Sequence, residues 1–279
     1  MGITGSSEPD APLLRCVGAS KAFGAVHALY KVDFEVRSGE VMALVGDNGA
    51  GKSTLVKGIV GIYPFDEGYT EFDGERVRIG GPRVAADLGI EVVYQDLALA
   101  DNLDVVANMF LGRERTQRGI VLDEVSMEHQ AQEVLESLSV TTLRSVRQTV
   151  AGLSGGQRQA VAVAKAVMWG DSRLIILDEP TAALGVAQTR QVLDLVGRLA
   201  ESGYAVVIIS HNLHDVFEVA DRITVLRLGQ NVALLNRRET TQQEVVAAIT
   251  AGELKHVPGM DEPETEYGSA GERQEVVEA

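Results

Sequence analysis

Cysteine, tryptophan and positive charge are scarce in this sequence. Of its 279 residues, one is cysteine and one is tryptophan, and 25 Lys and Arg stand against 40 Asp and Glu, which gives a formal net charge of −15. The single Cys16 excludes an internal disulfide framework and is typical of a reducing compartment. Nucleic-acid surfaces need clustered Lys and Arg, so the acidic balance predicts that nucleic acid is not a partner.

Long apolar runs are missing as well. The longest, such as "AVVII" and "LIIL", have the length of strands, far below the roughly 20 residues that span a bilayer. The N-terminus shows no basic stretch followed by an apolar one, so we expect no secretory signal. With 45% hydrophobic residues, the chain has enough apolar side chains for one large domain or two small ones.

Composition divides the chain into three parts. Residues 1–12 are rich in Gly, Ser and Pro, and we predict that they are disordered. Residues 13–252 carry the periodic patterns of a folded domain. From Val257 to Ala279 there are seven acids and one arginine, so we predict that residues 253–279 form a disordered acidic tail.

The patterns within residues 13–252 predict an α/β fold. Five continuous apolar runs, "VMALVG", "GIEVVYQ", "LIILD", "AVVIIS" and "ITVLRL", have the character of buried parallel strands and alternate with helical stretches. Before and between them, "LLRCVGA", "VDFEV" and a hairpin turning at Asp73-Gly74 predict antiparallel strands. Residues 96–169 are predicted to be an inserted helical subdomain, in which Ser126 is the expected N-cap of one helix.

A phosphate-binding loop follows the first of the apolar runs. The segment "GDNGAGKST" fits G-x-x-x-x-G-K-[ST], in which glycines turn backbone N–H groups toward phosphate oxygens and the lysine reaches the β- and γ-phosphates. A strand before the loop and a helix after it are the context that this motif requires. The residues predicted to bind ATP here are Gly46, Asp47, Asn48, Gly49, Ala50, Gly51, Lys52, Ser53 and Thr54.

Two adjacent carboxylates end the apolar run "LIILDEP". Asp178 closes a buried strand, where a carboxylate is costly without a partner, and a Mg²⁺ held by Ser53 and nucleotide phosphates would be that partner. Glu179 points elsewhere and can polarise a water for attack on the γ-phosphate. Taken alone, the pair could also be strand-end acids that face solvent.

The most specific segment is "LSGGQRQAVAVAKAV", which opens a helix whose N-terminus suits a phosphate. It lies between the phosphate loop and the "LDEP" strand. On these motifs the chain resembles the ATP-binding subunit of an ABC transporter, from about Leu13 to Ala251. The resemblance implies a P-loop NTPase core with an N-terminal antiparallel β subdomain and an inserted α-helical subdomain. It also implies that the partner's ATP is bound by Leu153, Ser154, Gly155, Gly156 and Gln157.

Three further landmarks match the family. Phe23 corresponds to the aromatic that stacks on adenine, Gln95 to the glutamine that senses Mg²⁺ and links to the membrane subunit, and His211 to the switch histidine. Each could serve packing or structure if read alone, as most aromatics and lone histidines do. The implied catalytic residues are Glu179 and His211, and the implied Mg²⁺ ligands are Ser53, Gln95 and Asp178.

In this family one nucleotide lies between two cassettes, so the chain must form a homodimer or pair with a second cassette. The segments "QDLALADNLDVVANMFLGRE" and "PTAALGVAQTRQVLDLV" resemble sugar importers of the ribose, xylose, galactose and fructose class. The resemblance implies a monosaccharide-importer ATPase, peripheral at the cytoplasmic face of the membrane. Its implied partners are integral-membrane permease subunits and, through them, a periplasmic or lipid-anchored sugar-binding protein.

The chain departs from the family at Gly185, where an aspartate that contacts the opposite cassette is usual. We interpret this as a feature of the sugar subgroup that changes communication between the two sites. The alternatives left open are a soluble ABC ATPase, an importer ATPase for a different small solute, and a non-catalytic regulatory cassette. The intact Lys52, Asp178, Glu179 and His211 argue against the last, and "LSGGQ" argues against a P-loop kinase or GTPase.

Overall fold

The computed structural model describes residues 11–117, 121–169 and 172–252. The predicted acidic tail at 253–279 and nearly all of the predicted disordered segment at 1–12 lie outside the described residues. Within the described ranges no helix combines the length and the apolarity that crossing a bilayer requires.

The strands and helices alternate along most of the described chain. The strands are β1 Leu14–Phe23, β2 Val26–Val36, β3 Val41–Val45, β4 Glu67–Phe72, β5 Glu75–Val77, β6 Ile90–Val93, β7 Thr116–Gln117, β8 Val121–Leu122, β9 Leu174–Asp178, β10 Ala205–Ile209, β11 Arg222–Arg227 and β12 Gln230–Asn236. The helices are α1 Lys52–Ile59, α2 Pro82–Asp87, α3 Val105–Phe110, α4 Glu124–Ser137, α5 Gly155–Val167, α6 Val186–Glu201, α7 Leu213–Val219 and α8 Gln242–Ala251, with 3₁₀ turns at Val150–Gly152 and Arg237–Glu239.

Two large sheets organise the chain. The central sheet has the order β12-β11-β3-β10-β9-β6. Its strands are parallel except for β12, which pairs antiparallel with β11. The second sheet has the order β2-β1-β4-β5 and its pairs are antiparallel. The predicted α/β fold with a mostly parallel core and an N-terminal antiparallel part is confirmed.

The central strands are buried on both faces. Alternate residues of β3 divide between two cores: Val41, Ala43 and Val45 pack with the helices α3 to α6 on one side, and Met42 and Leu44 pack toward α1 and the antiparallel sheet on the other. Strands covered on both faces have no polar face to show, which is why their sequences are unbroken apolar runs.

The lone cysteine lies in the core between the two sheets. Cys16 is fully buried on β1, its sulfur is 3.9 Å from the Thr70 hydroxyl, and burial raises the pKa of its thiol to about 12. At this pKa the thiolate, which is the reactive form, is not populated at neutral pH. Cys16 therefore acts as a small apolar side chain of the core.

The stretch from 96 to 169 contains α3, α4 and α5, together with the short β7–β8 ribbon, which the apolar pattern does not reveal. Helix α5 packs against α3, α4 and α6. The predicted N-cap of α4 is wrong: the cap is Asp123, whose side chain accepts a hydrogen bond from the backbone N–H of Ser126. Asp and Ser are both good caps, and the helix starts earlier than the apolar periodicity does.

Candidate functional site

Four neighbouring strands end at the same edge of the central sheet. The register pairs Ile209 of β10 with both Leu44 of β3 and Asp178 of β9, and Val93 of β6 with Leu177. The chain segments that follow these strands therefore leave the sheet at one level. In open α/β sheets this carboxyl edge is where ligands bind.

Glycines let the segment after β3 pack closely against the backbone of neighbouring strands and turns. At Gly46, with φ 149°, an added Cβ would lie 2.2 Å from the carbonyl oxygen of Leu226, and at Gly51, with φ 103°, it would lie 2.7 Å from the carbonyl oxygen of Ala28. Gly51 is also the N-cap of α1, and no side chain caps that helix. The first N–H groups of α1 are thus left to bind an anion.

The hairpin between β11 and β12 supports this loop from behind. The backbone N–H of Gly229 donates to the carbonyl of Ala50 at 3.0 Å, and its carbonyl accepts from the N–H of Tyr30 on β2 at 2.8 Å. The hairpin therefore joins the phosphate loop to the antiparallel sheet. Sequence reasoning missed this contact, since the turn at "RLGQN" signals a hairpin and not what the hairpin touches.

Lys52 is held over the loop. Its Nζ donates to the carbonyls of Gly46 at 2.6 Å and Asp47 at 3.0 Å. Burial lowers the pKa of the Lys52 ammonium, and the nearby carboxylates, with Glu179 the strongest, partly offset this shift by raising the pKa. Ser53 is exposed and Thr54 is half-buried at the start of α1. Around the rest of the loop the exposed residues are Asp47, Asn48 and Gly49, and Ala50 is buried.

Glu179 and His211 face each other across the ends of β9 and β10. His211 Nδ1 lies 2.6 Å from Glu179 Oε2, with the carboxylate largely buried and the imidazole largely exposed. The Glu179 backbone adopts a left-handed φ of 52°, which is uncommon for a residue with a Cβ. Its N–H donates to the carbonyl of Ile209 at 2.9 Å, which ties the two strand ends together.

Asp178 lies half-buried beside Glu179. Burial raises the pKa of its carboxyl, and the neighbouring Glu179 carboxylate raises it further. Among the described residues no group of three or more His, Cys, Asp or Glu side chains is arranged to hold a metal ion by itself. A cation here would need ligands from elsewhere, and Mg²⁺ characteristically takes one or two carboxylates and completes its shell with phosphate oxygens and water.

A cavity of about 470 Å³ opens at this edge of the sheet. It joins three of the sequence motifs, because the phosphate loop, Gln95 and the Glu179–His211 pair all face it. Sequence reasoning missed its apolar wall, Leu213 and Ile249, since α7 and α8 show no ligand-binding motif. The lining residues are Val45, Gly46, Asp47, Asn48, Gln95, Glu179, Ser210, His211, Leu213 and Ile249.

Phe23 lies at the end of β1 and is 48% exposed. The ring of Tyr63 meets it edge-on, with centroids 5.2 Å apart and planes at 82°, and Lys21 Nζ lies 5.7 Å from the Phe23 centroid. The exposed part of this ring is open to a flat ligand. Tyr63 lies 40 residues after Phe23, in the connection between α1 and β4. The sequence therefore offers no signal for this contact.

The "LSGGQ" segment begins helix α5. Ser154 is the N-cap and forms a capping box with Gln157, whose side chain also donates to the carbonyl of Thr142 at 2.6 Å. An added Cβ on Gly155 would lie 2.5 Å from Leu184, so the chain after β9 lies against the helix start. These residues are not among those that line the cavity of their own chain.

Sequence comparison identifies the family. The model described as "ABC transporter" matches residues 29–182, more than half of the chain. The fructose import ATP-binding protein FrcA of Rhizobium meliloti is 45% identical over 245 residues, which are 86% of this chain and 94% of that protein. The xylose/arabinose import ATP-binding protein XylG of Sulfolobus acidocaldarius is 44% identical over 88% of this chain and 96% of that protein.

Longer relatives and solved structures agree. The ribose import ATP-binding protein RbsA of Yersinia pestis is 40% identical, and the match spans about half of it, 47%. A nucleotide-free ATP-binding cassette from an ABC transporter superposes with a TM-score of 0.73 at 26% identity, covering 86% of this chain and 96% of that one. The ADP conformation of such a cassette gives the same TM-score and identity. The chain therefore belongs to the ATP-binding cassette ATPases of ABC transporters.

Proposed function

We propose that the chain is the ATP-hydrolysing subunit of an importer for a monosaccharide, acting through a separate permease. The observation that carries the hydrolytic part is the Glu179–His211 pair, 2.6 Å apart, in the cavity that the phosphate loop also lines. The sugar part rests on the similar proteins, whose names assign them to import of fructose, xylose or arabinose, and ribose.

The phosphate loop and Phe23 bind ATP in this proposal. The uncapped start of α1 and the loop N–H groups receive the phosphates, and Lys52, already poised over the loop by bonds to two carbonyls, moves its ammonium onto them. The exposed face of Phe23 stacks on adenine. The ATP-binding set is the loop from Gly46 to Thr54 together with Phe23 and Gln95.

The residues present also fit a Mg²⁺ ion. Burial raises the pKa of the half-buried Asp178 carboxyl, and a divalent cation bound here would give its negative charge a partner. The exposed Ser53 hydroxyl and the Gln95 side chain are the other protein ligands that we assign. The bound ion would neutralise charge on the phosphates and fix their orientation.

Glu179 and His211 act on the attacking water. Glu179 Oε1 or Oε2 accepts a hydrogen bond from the water and orients it toward the γ-phosphate, and the chain supplies no nucleophile of its own. His211, bonded to Glu179 through Nδ1, keeps the carboxylate in place and presents its other ring nitrogen to the exposed side of the cavity. Glu179, whose backbone has a left-handed φ, lines the cavity in which the water would bind.

The second wall of each site comes from another cassette. Leu153 to Gln157 do not line the cavity of their own chain, and Ser154 is exposed at the N-terminus of α5, which supports the assignment of Ser154 and Gly156 to the nucleotide of a partner. A homodimer of this chain builds two such sites, and a pair with a different cassette builds them as well. The capping box at Ser154 keeps the helix start ordered before the partner arrives.

Permease subunits are the membrane partners in this proposal, and the cassette is peripheral at the cytoplasmic face. A sugar-binding protein delivers solute on the other side. When ATP binds, the two cassettes close and the inserted helical subdomain at residues 96–169 moves. Gln95 and its neighbours transmit this movement to the permease.

Sugar uptake tests the proposal. In cells whose own copy is replaced by Glu179→Gln, we expect initial uptake of one of radiolabelled fructose, xylose, arabinose, ribose or galactose to fall to background. Wild type and Glu201→Gln, a change at the exposed end of α6, should retain it. Unchanged uptake of all five sugars, with the variant present at wild-type level, would contradict sugar import and favour a different solute or a soluble ABC ATPase.

Gly185 gives a second test, of communication between the sites. It is the N-cap of α6 with no side chain to accept from the first N–H groups, so Asp and Asn there both add a cap, worth a few tenths of a kcal/mol. Only Asp adds the charge that the family places at this position. We expect Gly185→Asp to change the ATPase rate and its cooperativity in ATP, and Gly185→Asn to raise stability alone. Unchanged kinetics for Gly185→Asp would contradict this interpretation.

A further inference from the structure

We propose that Asp215 is a positioning residue, whose buried carboxylate fastens together the two chain segments that hold Glu179 and His211. The inference rests on the proposed roles of that pair. Asp215 belongs to none of the motifs above, and it lies in α7, away from the phosphate loop in sequence.

Both oxygens of Asp215 are engaged. Oδ2 accepts from the Thr181 hydroxyl at 2.7 Å, and Oδ1 accepts from Asn212 Nδ2 at 2.9 Å, while the residue is only 2% exposed. Both donors are neutral, so this is not a salt bridge. A buried carboxylate without such bonds is costly, and the two bonds fix its position and that of both donors.

The two donors sit next to the residues that the proposal concerns. Thr181 is two residues after Glu179, in a turn closed by the Ala182 N–H donating to the Glu179 carbonyl at 3.1 Å. Asn212 directly follows His211, and its own N–H donates to the Ser210 hydroxyl at 3.0 Å. Asp215 therefore joins the turn after β9 to the turn after β10.

Backbone strain explains why such a fastening is needed. Glu179 has a φ of 52°, a conformation that persists only where surrounding contacts over-determine it. On one side the Glu179 N–H is held by Ile209, and on the other the Thr181 hydroxyl is held by Asp215. Releasing Thr181 would let the turn relax and withdraw the Glu179 carboxylate from His211.

A plain helix-stabilising role is the competing explanation, since Asp215 lies in the first turn of α7, where an acid is favourable. The two explanations separate at Thr181. Thr181→Val keeps the shape of the side chain and leaves α7 untouched, but it removes the hydroxyl that reaches Asp215. Thr224→Val is the control for the same substitution: Thr224 is 2% exposed, more buried than the half-buried Thr181, and its hydroxyl bonds the Met42 sulfur within the sheet.

The experiment uses the full chain and three readouts. In Asp215→Asn and Thr181→Val we expect kcat for ATP to fall on the order of 10- to 100-fold, the cost of a misplacement near 1 Å, with KM within about threefold. In a His211→Ala background Asp215→Asn should lower kcat no further, since it acts through the same pair. The ring ¹⁵N signals of His211 should shift in both variants and not in Thr224→Val.

The outcomes are distinct. If Thr181→Val leaves both kcat and the His211 ring signals at wild type, the fastening is disproved and Asp215 merely stabilises its helix. A loss of kcat in Asp215→Asn that multiplies with His211→Ala would also overturn the inference. If Glu179→Gln and His211→Ala themselves turn over ATP at the wild-type rate, the proposed function fails first, and the ring signals still report whether Asp215 fastens the loops.

Discussion

Glu179→Gln is expected to bind ATP with wild-type affinity and to lower turnover 100-fold or more. The amide keeps the size of the side chain and its place in the cavity, but it cannot accept a proton from the attacking water, and general-base catalysis contributes about 10² to 10⁴ in rate. In the proposed site ATP is bound by the phosphate loop and Phe23, which the change leaves intact. Fluorescence titration with a nucleotide analogue and steady-state phosphate release measure the two quantities separately.

The matched control for this prediction is Glu201→Gln. It makes the same chemical change at the exposed end of α6, so turnover and binding should both stay within about twofold of wild type. A turnover rate near wild type in Glu179→Gln would contradict the role assigned to that carboxylate. Loss of binding together with loss of turnover would mean that the change disturbs the loop and not the water.

Lys52→Ala is expected to weaken ATP binding about 30-fold or more. Lys52 is half-buried over the phosphate loop and bonds the carbonyls of Gly46 and Asp47; truncating one partner of a desolvated, hydrogen-bonded charge pair costs about 2–5 kcal/mol, and each 1.4 kcal/mol is about tenfold in affinity. Calorimetric titration with ATP in the presence of Mg²⁺ measures the loss.

Lys57→Ala separates this effect from a change in net charge. Lys57 is exposed in the last turn of α1, on the same helix as Lys52, and its removal should leave the affinity within about threefold. Equal losses of ATP affinity in the two variants would show that Lys52 contributes only through the net charge of the protein. ADP should lose less affinity than ATP in Lys52→Ala, because it lacks the γ-phosphate.

The central sheet could be predicted from the sequence because its strands are covered on both faces. A strand such as Leu174–Asp178 has no polar face, so its apolar run is unbroken until the carboxylate of Asp178 that ends it. The antiparallel hairpin at Asp73-Gly74 could be predicted as well, because its turn residues take positive φ values of 55° and 77°. The α4 cap was misassigned because Asp123 and Ser126 are both acceptable caps three residues apart.

The sequence predicts only those parts of the site that lie within local sequence motifs. The phosphate loop and the paired carboxylates are local patterns, and the topology of parallel strands brings their ends together. The bond from Thr181 to Asp215, the edge-on contact of Tyr63 with Phe23 and the hairpin behind Ala50 join residues that no local pattern links. These contacts depend on how the elements pack, which periodicity and spacing do not encode. The roles assigned to the site residues remain predictions.

The proposal that two copies share each nucleotide leads to the most direct test. Glu179→Gln at saturating Mg·ATP should be held in the bound state, and light scattering should then give the mass of two chains, against one chain without nucleotide. Ser154→Arg introduced into Glu179→Gln blocks the start of α5 and should return the mass to one chain, while ATP still binds. A Glu179→Gln chain that stays monomeric with ATP fully bound would contradict a site shared between two copies of this chain, and would require a different cassette as the partner.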